Sequence, residues 1–300
     1  PLLRPSLLRL GQHVSVPVIL AGLSAIMFGF GDLLGGVAIR RSGRQRSSLG
    51  LAMVATMVGA VCVGLYLLVR PPETVRPADV VWPLAAGLFM ASTRPLLYLG
   101  MARGPVAVFA PIFGLTMIVV PAVIGPFIGQ DLSGLEVVGV GLALVAVALL
   151  SGVGVVPRPG RLLRSGAVGL AVLTGTSVGL AGVFLTQAAP EAGELPAFLV
   201  LVSGVVVLPV VVRVGTGTFR PDRAVVGFGM VLGATSATAM ALSTAAYLRG
   251  SAAVVTALIA LSPGVSVVIA WRFLGERLYP AQAVGGVFAV AAVLAFATAG

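Results

Sequence analysis

Asp32 and Arg94 are the side chains in this sequence whose type and place could do chemistry. Each is ionisable inside a run otherwise suited to lipid, FGFGDLLGGVAIRR (28–41) and MASTRPLLYLG (90–100). An ionised group at the centre of a membrane helix costs about 2.5–3.5 kcal/mol on insertion scales, so such residues face the interior and pair. Desolvation can leave a carboxylate neutral, whereas a guanidinium keeps its charge. Asp32 is therefore a candidate proton or cation acceptor, and Arg94 a fixed positive charge. Asp32 precedes Arg40 by eight residues and Arg94 precedes Arg103 by nine. At about 1.5 Å per residue both lie roughly 12–14 Å below one face, which makes them natural partners. Two readings follow: an ion pair that fixes spans 1 and 3, or a site for substrate binding and coupling.

Neutral groups could complete such a site. Thr174, Thr176, Ser177 and Gln187 in span 6, and Thr235, Ser236, Thr238, Ser243 and Thr244 in span 8, offer hydroxyls and an amide to a cavity. Small hydroxyls equally pack helices by bonding to their own backbone. Tyr98 joins the set near a span end, where an aromatic belt is the plainer role. With Met240, the candidate site is Asp32, Arg94, Tyr98, Thr174, Ser177, Gln187, Ser236 and Met240.

The elements that must position these residues are membrane helices. The chain of 300 residues is 58% hydrophobic and 9% charged, with mean hydropathy +1.12, against about a quarter charged in a soluble domain. Ten apolar runs fall near 17–39, 49–69, 80–102, 104–124, 135–156, 166–188, 196–213, 224–247, 251–271 and 280–299. Without water to satisfy loose backbone groups, such segments must be helices. The sequence opens on Pro1 rather than Met. The first span is too long for a signal-peptide core and is read as retained.

A shift of 146 residues aligns Arg103-Gly104 with Arg249-Gly250, Phe127 and Gly129 with Phe273 and Gly275, and Val138-Gly139 with Val284-Gly285. It also places Gly29 on Gly175 and Gly36 on Gly182. The expected fold is thus an all-α membrane protein of ten helices in two repeats: a tail 1–16, a first five-helix repeat 17–156, a basic linker 157–165, and a second repeat 166–300. Five is odd, so the second copy enters the membrane from the other side, the inverted-repeat layout of alternating-access carriers. The same shift sets Val178 against Asp32 and Met240 against Arg94, confining both charges to the first half.

The run YLRGSAAVVTALIALSPGVSVVIAWRFLGERLYPAQAVGG (247–286) resembles the EamA domain of the drug/metabolite transporter superfamily. The likeness rests on Pro263, the Gly275-Glu276 turn and Gly285. The first half departs from it, with Gly129-Gln130 at the turn and Phe28-Gly29 where a Trp-Gly pair is usual. The resemblance implies a secondary transporter, more often an exporter, of small metabolites, amino-acid-like solutes or drugs in the cytoplasmic membrane. Protons are the expected coupling partner, with uncoupled facilitated diffusion as the alternative, and the assembly is expected to be a monomer or homodimer. A non-transporting scaffold or accessory subunit with the same fold is the alternative. Orientation stays open: thirteen Arg beside the odd-numbered loops against five on the other side put both termini outside, whereas the resemblance puts both inside.

Other chemistries find no footing. Gly175-Thr-Ser-Val-Gly179 fits a hydrolase elbow in letters alone, since it lies inside a span and the single His, His13, is in the tail. No enzyme is expected. The net charge of +10 is spread over span ends and suits lipid headgroups rather than nucleic acid. The single cysteine, Cys62, precludes an internal disulfide. No phosphate loop, dinucleotide fingerprint or metal-ligand cluster appears, so no cofactor is expected.

Overall fold

A computed structural model describes residues 15–42, 47–103, 106–151, 166–216, 223–275 and 277–299. Most of the tail, the 157–165 linker and Glu276 fall outside the described residues, as do the side chains of Arg94 and Tyr98. All regular structure among the described residues is helical. In chain order the α-helices are α1 (Val16–Ser42), α2 (Ser47–Val69), α3 (Ala78–Arg103), α4 (Val106–Ile124), α5 (Gly134–Ser151), α6 (Ala167–Leu185), α7 (Leu195–Thr216), α8 (Arg223–Tyr247), α9 (Ala252–Ile259), α10 (Ser262–Leu274) and α11 (Pro280–Ala299). Short 3₁₀ turns occupy Gly125–Ile128 and Pro190–Ala192.

Among the described residues eight segments are long and apolar enough to cross a membrane, α9 and α10 counting together as Ala252–Leu274. Helices α3 and α7 hold shorter apolar stretches, Ala78–Thr93 and Leu195–Val210. The first ends against Arg94 and the second three residues before Arg213. Two details differ from the sequence reading. Helix α6 ends at Leu185, so Gln187 lies in the following turn rather than in the span. The ninth span is broken at Ala260-Leu261, just before Pro263 enters the first turn of α10. There proline's missing N–H costs nothing, because it would be unpaired in any helix.

The packing follows the repeat. Helix α1 packs on α8, α9 and α10, and its counterpart α6 packs on α3 and α4. Helix α2 with α8 is matched by α7 with α3, while α2–α7 and α5–α11 join counterparts directly. The most extensive interfaces therefore link one repeat to the other. Glycines make these approaches possible, since lipid offers helices no hydrophobic drive to associate and close van der Waals contact must replace it. A Cβ on Gly29 would lie 2.6 Å from the Ser262 carbonyl oxygen, and one on Gly175 2.5 Å from that of Phe113. Gly87 faces Ser203 of α7 and Gly233, 146 residues later, faces Ala55 and Val58 of α2. Gly139 meets Phe296, and Gly285 meets Leu150, a pair related by the same shift. The turns after Gly125–Ile128 and α10 end alike, on Gly129 at φ 75° and Gly275 at φ 68°, a left-handed backbone that glycine adopts without steric cost.

The densest part of the core surrounds α9, all of whose residues are buried. Val254, Leu258 and Leu261 pack there with Val18 and Ala21 of α1, Ile118 of α4, and Ala181 and Leu185 of α6. Phe184 of α6 also holds α3, its ring centroid 5.2 Å from that of Trp82 and 5.5 Å from that of Phe89.

Candidate functional site

Helix α1 has two faces. Val16, Ile19, Leu23, Ile26 and Phe30 are exposed at 3–4-residue spacing, while Ala21 and Ala25 are buried and Phe28 packs against the core. At about 100° per residue, Asp32 continues the Ala21–Ala25–Phe28 stripe, roughly opposite the exposed one. Yet Asp32 is itself exposed, because the interior opens beside it. A cavity of about 280 Å³ lies there, lined by Asp32, by Ser266 and Trp271 of α10, and by Arg277, Tyr279 and Gln282 at the entry to α11.

The approach of α10 to α1 that builds one wall depends on Gly29 and is fixed by Ser266, whose Oγ donates to the Gly29 carbonyl oxygen at 2.8 Å. Chemically the cavity offers a carboxylate from the first repeat and a guanidinium from the second. Trp271 and Tyr279 supply aromatic surface, and Ser266 and Gln282 can donate and accept hydrogen bonds. Such a set suits a small solute bearing both charge and apolar surface.

The other sequence candidates lie elsewhere. Arg94 and Tyr98 are carried by α3, which shares almost no packing with α1 among the described residues. Their side chains, and with them an Asp32–Arg94 pair, are outside the described residues. Thr174 and Ser177 are buried and donate to their own helix, at 2.6 Å to the Leu170 carbonyl and 2.9 Å to that of Leu173. Met240 is buried and Ser236 half-buried on α8. The amide of Gln187 donates to Thr186 Oγ1 at 3.3 Å. Of the six candidates whose side chains are described, Asp32 alone lines the cavity. Arg277, Ser266, Trp271, Tyr279 and Gln282 went unselected by sequence reasoning. For Trp271, Arg277, Tyr279 and Gln282 the one signal was the cluster WRFLGERLYPAQ around a turn; Ser266, five residues earlier, had none.

At the opposite end of the helices, hydrogen bonds join the turns to one another. Asp79, in the first turn of α3, is wholly buried and accepts from the Arg76 backbone N–H (2.8 Å), from its Nε (3.2 Å) and Nη2 (2.9 Å), and from the Ala189 N–H (2.7 Å). Its reach back to Arg76 is one half of a capping box, and its bond to Ala189 joins the α2–α3 and α6–α7 turns. The Glu73 N–H donates to the Glu191 carbonyl across the same gap. Gln130 follows Gly129 and joins three elements: its Nε2 donates to Thr186 Oγ1 at 2.9 Å, and its Oε1 accepts from the Ala252 N–H at 2.9 Å. Nearby, one carboxylate oxygen of Glu194 is buried without a hydrogen-bond partner. Burial raises that carboxyl's pKa above its ordinary value, while the charge of Arg249 pulls it back.

Comparison with known proteins adds the family. The model of the EamA-like transporter family matches twice, over residues 15–152 and 165–298. Among solved structures the chain is similar to a crystal structure of a protein with TM-score 0.70 and 14% identity, over 95% of this chain and 99% of that one. At that identity the likeness shows the fold alone. No curated protein matches.

Proposed function

The chain belongs to the EamA-like transporter family, and from that premise we propose that it is a secondary transporter. It moves small metabolites, amino-acid-like solutes or drugs outward across the cytoplasmic membrane, in exchange for protons. Its ten spans form two inverted repeats that rock about a site between them, exposing it to each side in turn. The observation that carries this reading is the cavity where Asp32 of one repeat and Arg277 of the other line the same space. A charge from each repeat lets relative motion of the repeats change the site. Support for the inverted layout comes from the odd number of spans per repeat and from the hydrogen bonds that gather the α2–α3, α4–α5, α6–α7 and α8–α9 turns.

Asp32 is the proton carrier in this scheme, and Arg277 the group that holds the anionic end of the solute. The purified protein in liposomes, given a pH gradient and a panel of amino acids, nucleosides and cationic dyes, tests this directly. Saturable uptake that collapses with the gradient is expected, and Asp32→Asn abolishes the gradient dependence. Flux that is linear in solute, or a variant at wild-type expression with an unchanged pH profile, overturns the assignment. Absence of flux across the whole panel favours the scaffold reading.

A further inference from the structure

Alternating access requires both mouths of the bundle to open, so the ties on the closed face must differ in how readily they break. The Asp79 tie is made by a wholly buried carboxylate that three hydrogen bonds from Arg76, three residues earlier, hold in place, while a fourth, from the Ala189 N–H, crosses to the other turn. Charge-assisted bonds of this kind are roughly twice as strong as neutral ones. They suit a joint that moves as one body. Gln130 differs in each respect: it is neutral, half-buried and attached at both ends of one amide.

Its partners also make it directional. Gln130 belongs to the first repeat, whereas Thr186 closes α6 and Ala252 begins α9, both in the second. Thr186 Oγ1 spends its own proton on the Val183 carbonyl at 2.8 Å, so towards Gln130 it can only accept. The Ala252 N–H is a first-turn donor with no partner inside its helix. When the mouth opens, water can satisfy each of these groups, so release leaves none of them orphaned.

We infer that Gln130 is the latch of this mouth. Its amide holds the α4–α5 turn to the ends of α6 and α9 while the site faces the Asp32 side, and parts from both when the site turns to the other. This rests on the transport reading above, but the test does not need the solute. In a Cys62→Ala background, Val255→Cys places a thiol on α9, one turn below Ala252 and wholly buried. A second reporter, Ala292→Cys, is wholly buried on α11, in the family of contacts between α5 and α11.

Labelling by a membrane-impermeant maleimide reads opening at each place. Gln130→Ala is expected to raise the labelling rate at position 255 roughly tenfold, the worth of two neutral hydrogen bonds, and Thr186→Val about threefold. Neither changes the rate at position 292. Unchanged labelling at 255 overturns the latch. Equal acceleration at 255 and 292 also overturns it, because the substitutions have then loosened the fold as a whole. Solute flux in the same preparations is scored separately: a latch that releases in a protein showing no flux leaves the gate standing and removes the transport reading.

Discussion

Asp32 and Asp79 are carboxylates on apolar helices whose surroundings give them opposite roles. Asp79 has no exposed surface and accepts hydrogen bonds from Arg76 and Ala189, whereas Asp32 is exposed and lines the cavity. Asp79→Ala leaves the Ala189 N–H without its acceptor and should lower stability in detergent by about 1–3 kcal/mol. Arg76→Ala should lose less, because Arg76 is over half exposed; paired thermal melts check both. Glu194 sets a pH dependence of the other sign from a hydrogen-bonded acid. Its raised pKa means the folded state holds the proton more tightly than the unfolded chain. Its contribution to stability is therefore greatest below the ordinary carboxylate value of 4.5 and is lost as pH rises through the raised one. Glu194→Gln should gain on the wild type across that rise, and melts from acid to neutral pH read the crossover. Asp32 was legible in the sequence because a charge in an apolar run needs a reason. Arg277 was not, since a cation beside a turn looks like any headgroup anchor until the chain folds it 245 positions back against α1. Asp79 was passed over for the same cause: two residues from a loop, it reads as solvated.

At the scale of the helices, small residues decide where backbones can meet. Gly175 has the Phe113 carbonyl oxygen, the Thr116 Cβ and the Met117 backbone nitrogen in the space a Cβ would take, whereas Gly22 has nothing within 4 Å. Gly175→Ala should therefore cost about 1–3 kcal/mol through overpacking, while Gly22→Ala should be neutral or slightly stabilising; melting the two variants side by side separates packing from propensity. The ten apolar runs were visible because lipid leaves few ways to satisfy a backbone, and Gly29 with Gly175 could be aligned by eye. Which proline would break its span could not be read. Helix α4 runs unbroken through Pro111 and Pro121, while the ninth span parts before Pro263. A proline's effect depends on whether neighbouring elements hold the loosened turn, and Pro263 stands where two short turns, Ala260 to Thr256 and Leu261 to Leu258, already close the end of α9.

For the molecule as a whole, the repeats are interleaved rather than set side by side, so neither half should stand alone. Residues 1–157 and 158–300 expressed separately should each be degraded or aggregate, whereas co-expression should recover a folded complex by size-exclusion chromatography and restore flux. A stable, monodisperse half would contradict the packing described for α1 and α6. The interleaving also sets a timetable. The extensive partners of α1 begin at Arg223, so residues 43–222 must be synthesised before α1 can dock, roughly 10–40 s at 5–20 residues per second. Throughout that interval a finished apolar helix carries Asp32 with its inner face uncovered. Biogenesis of this protein thus calls for the insertion machinery, or a membrane chaperone, to shelter the first helix until the eighth emerges.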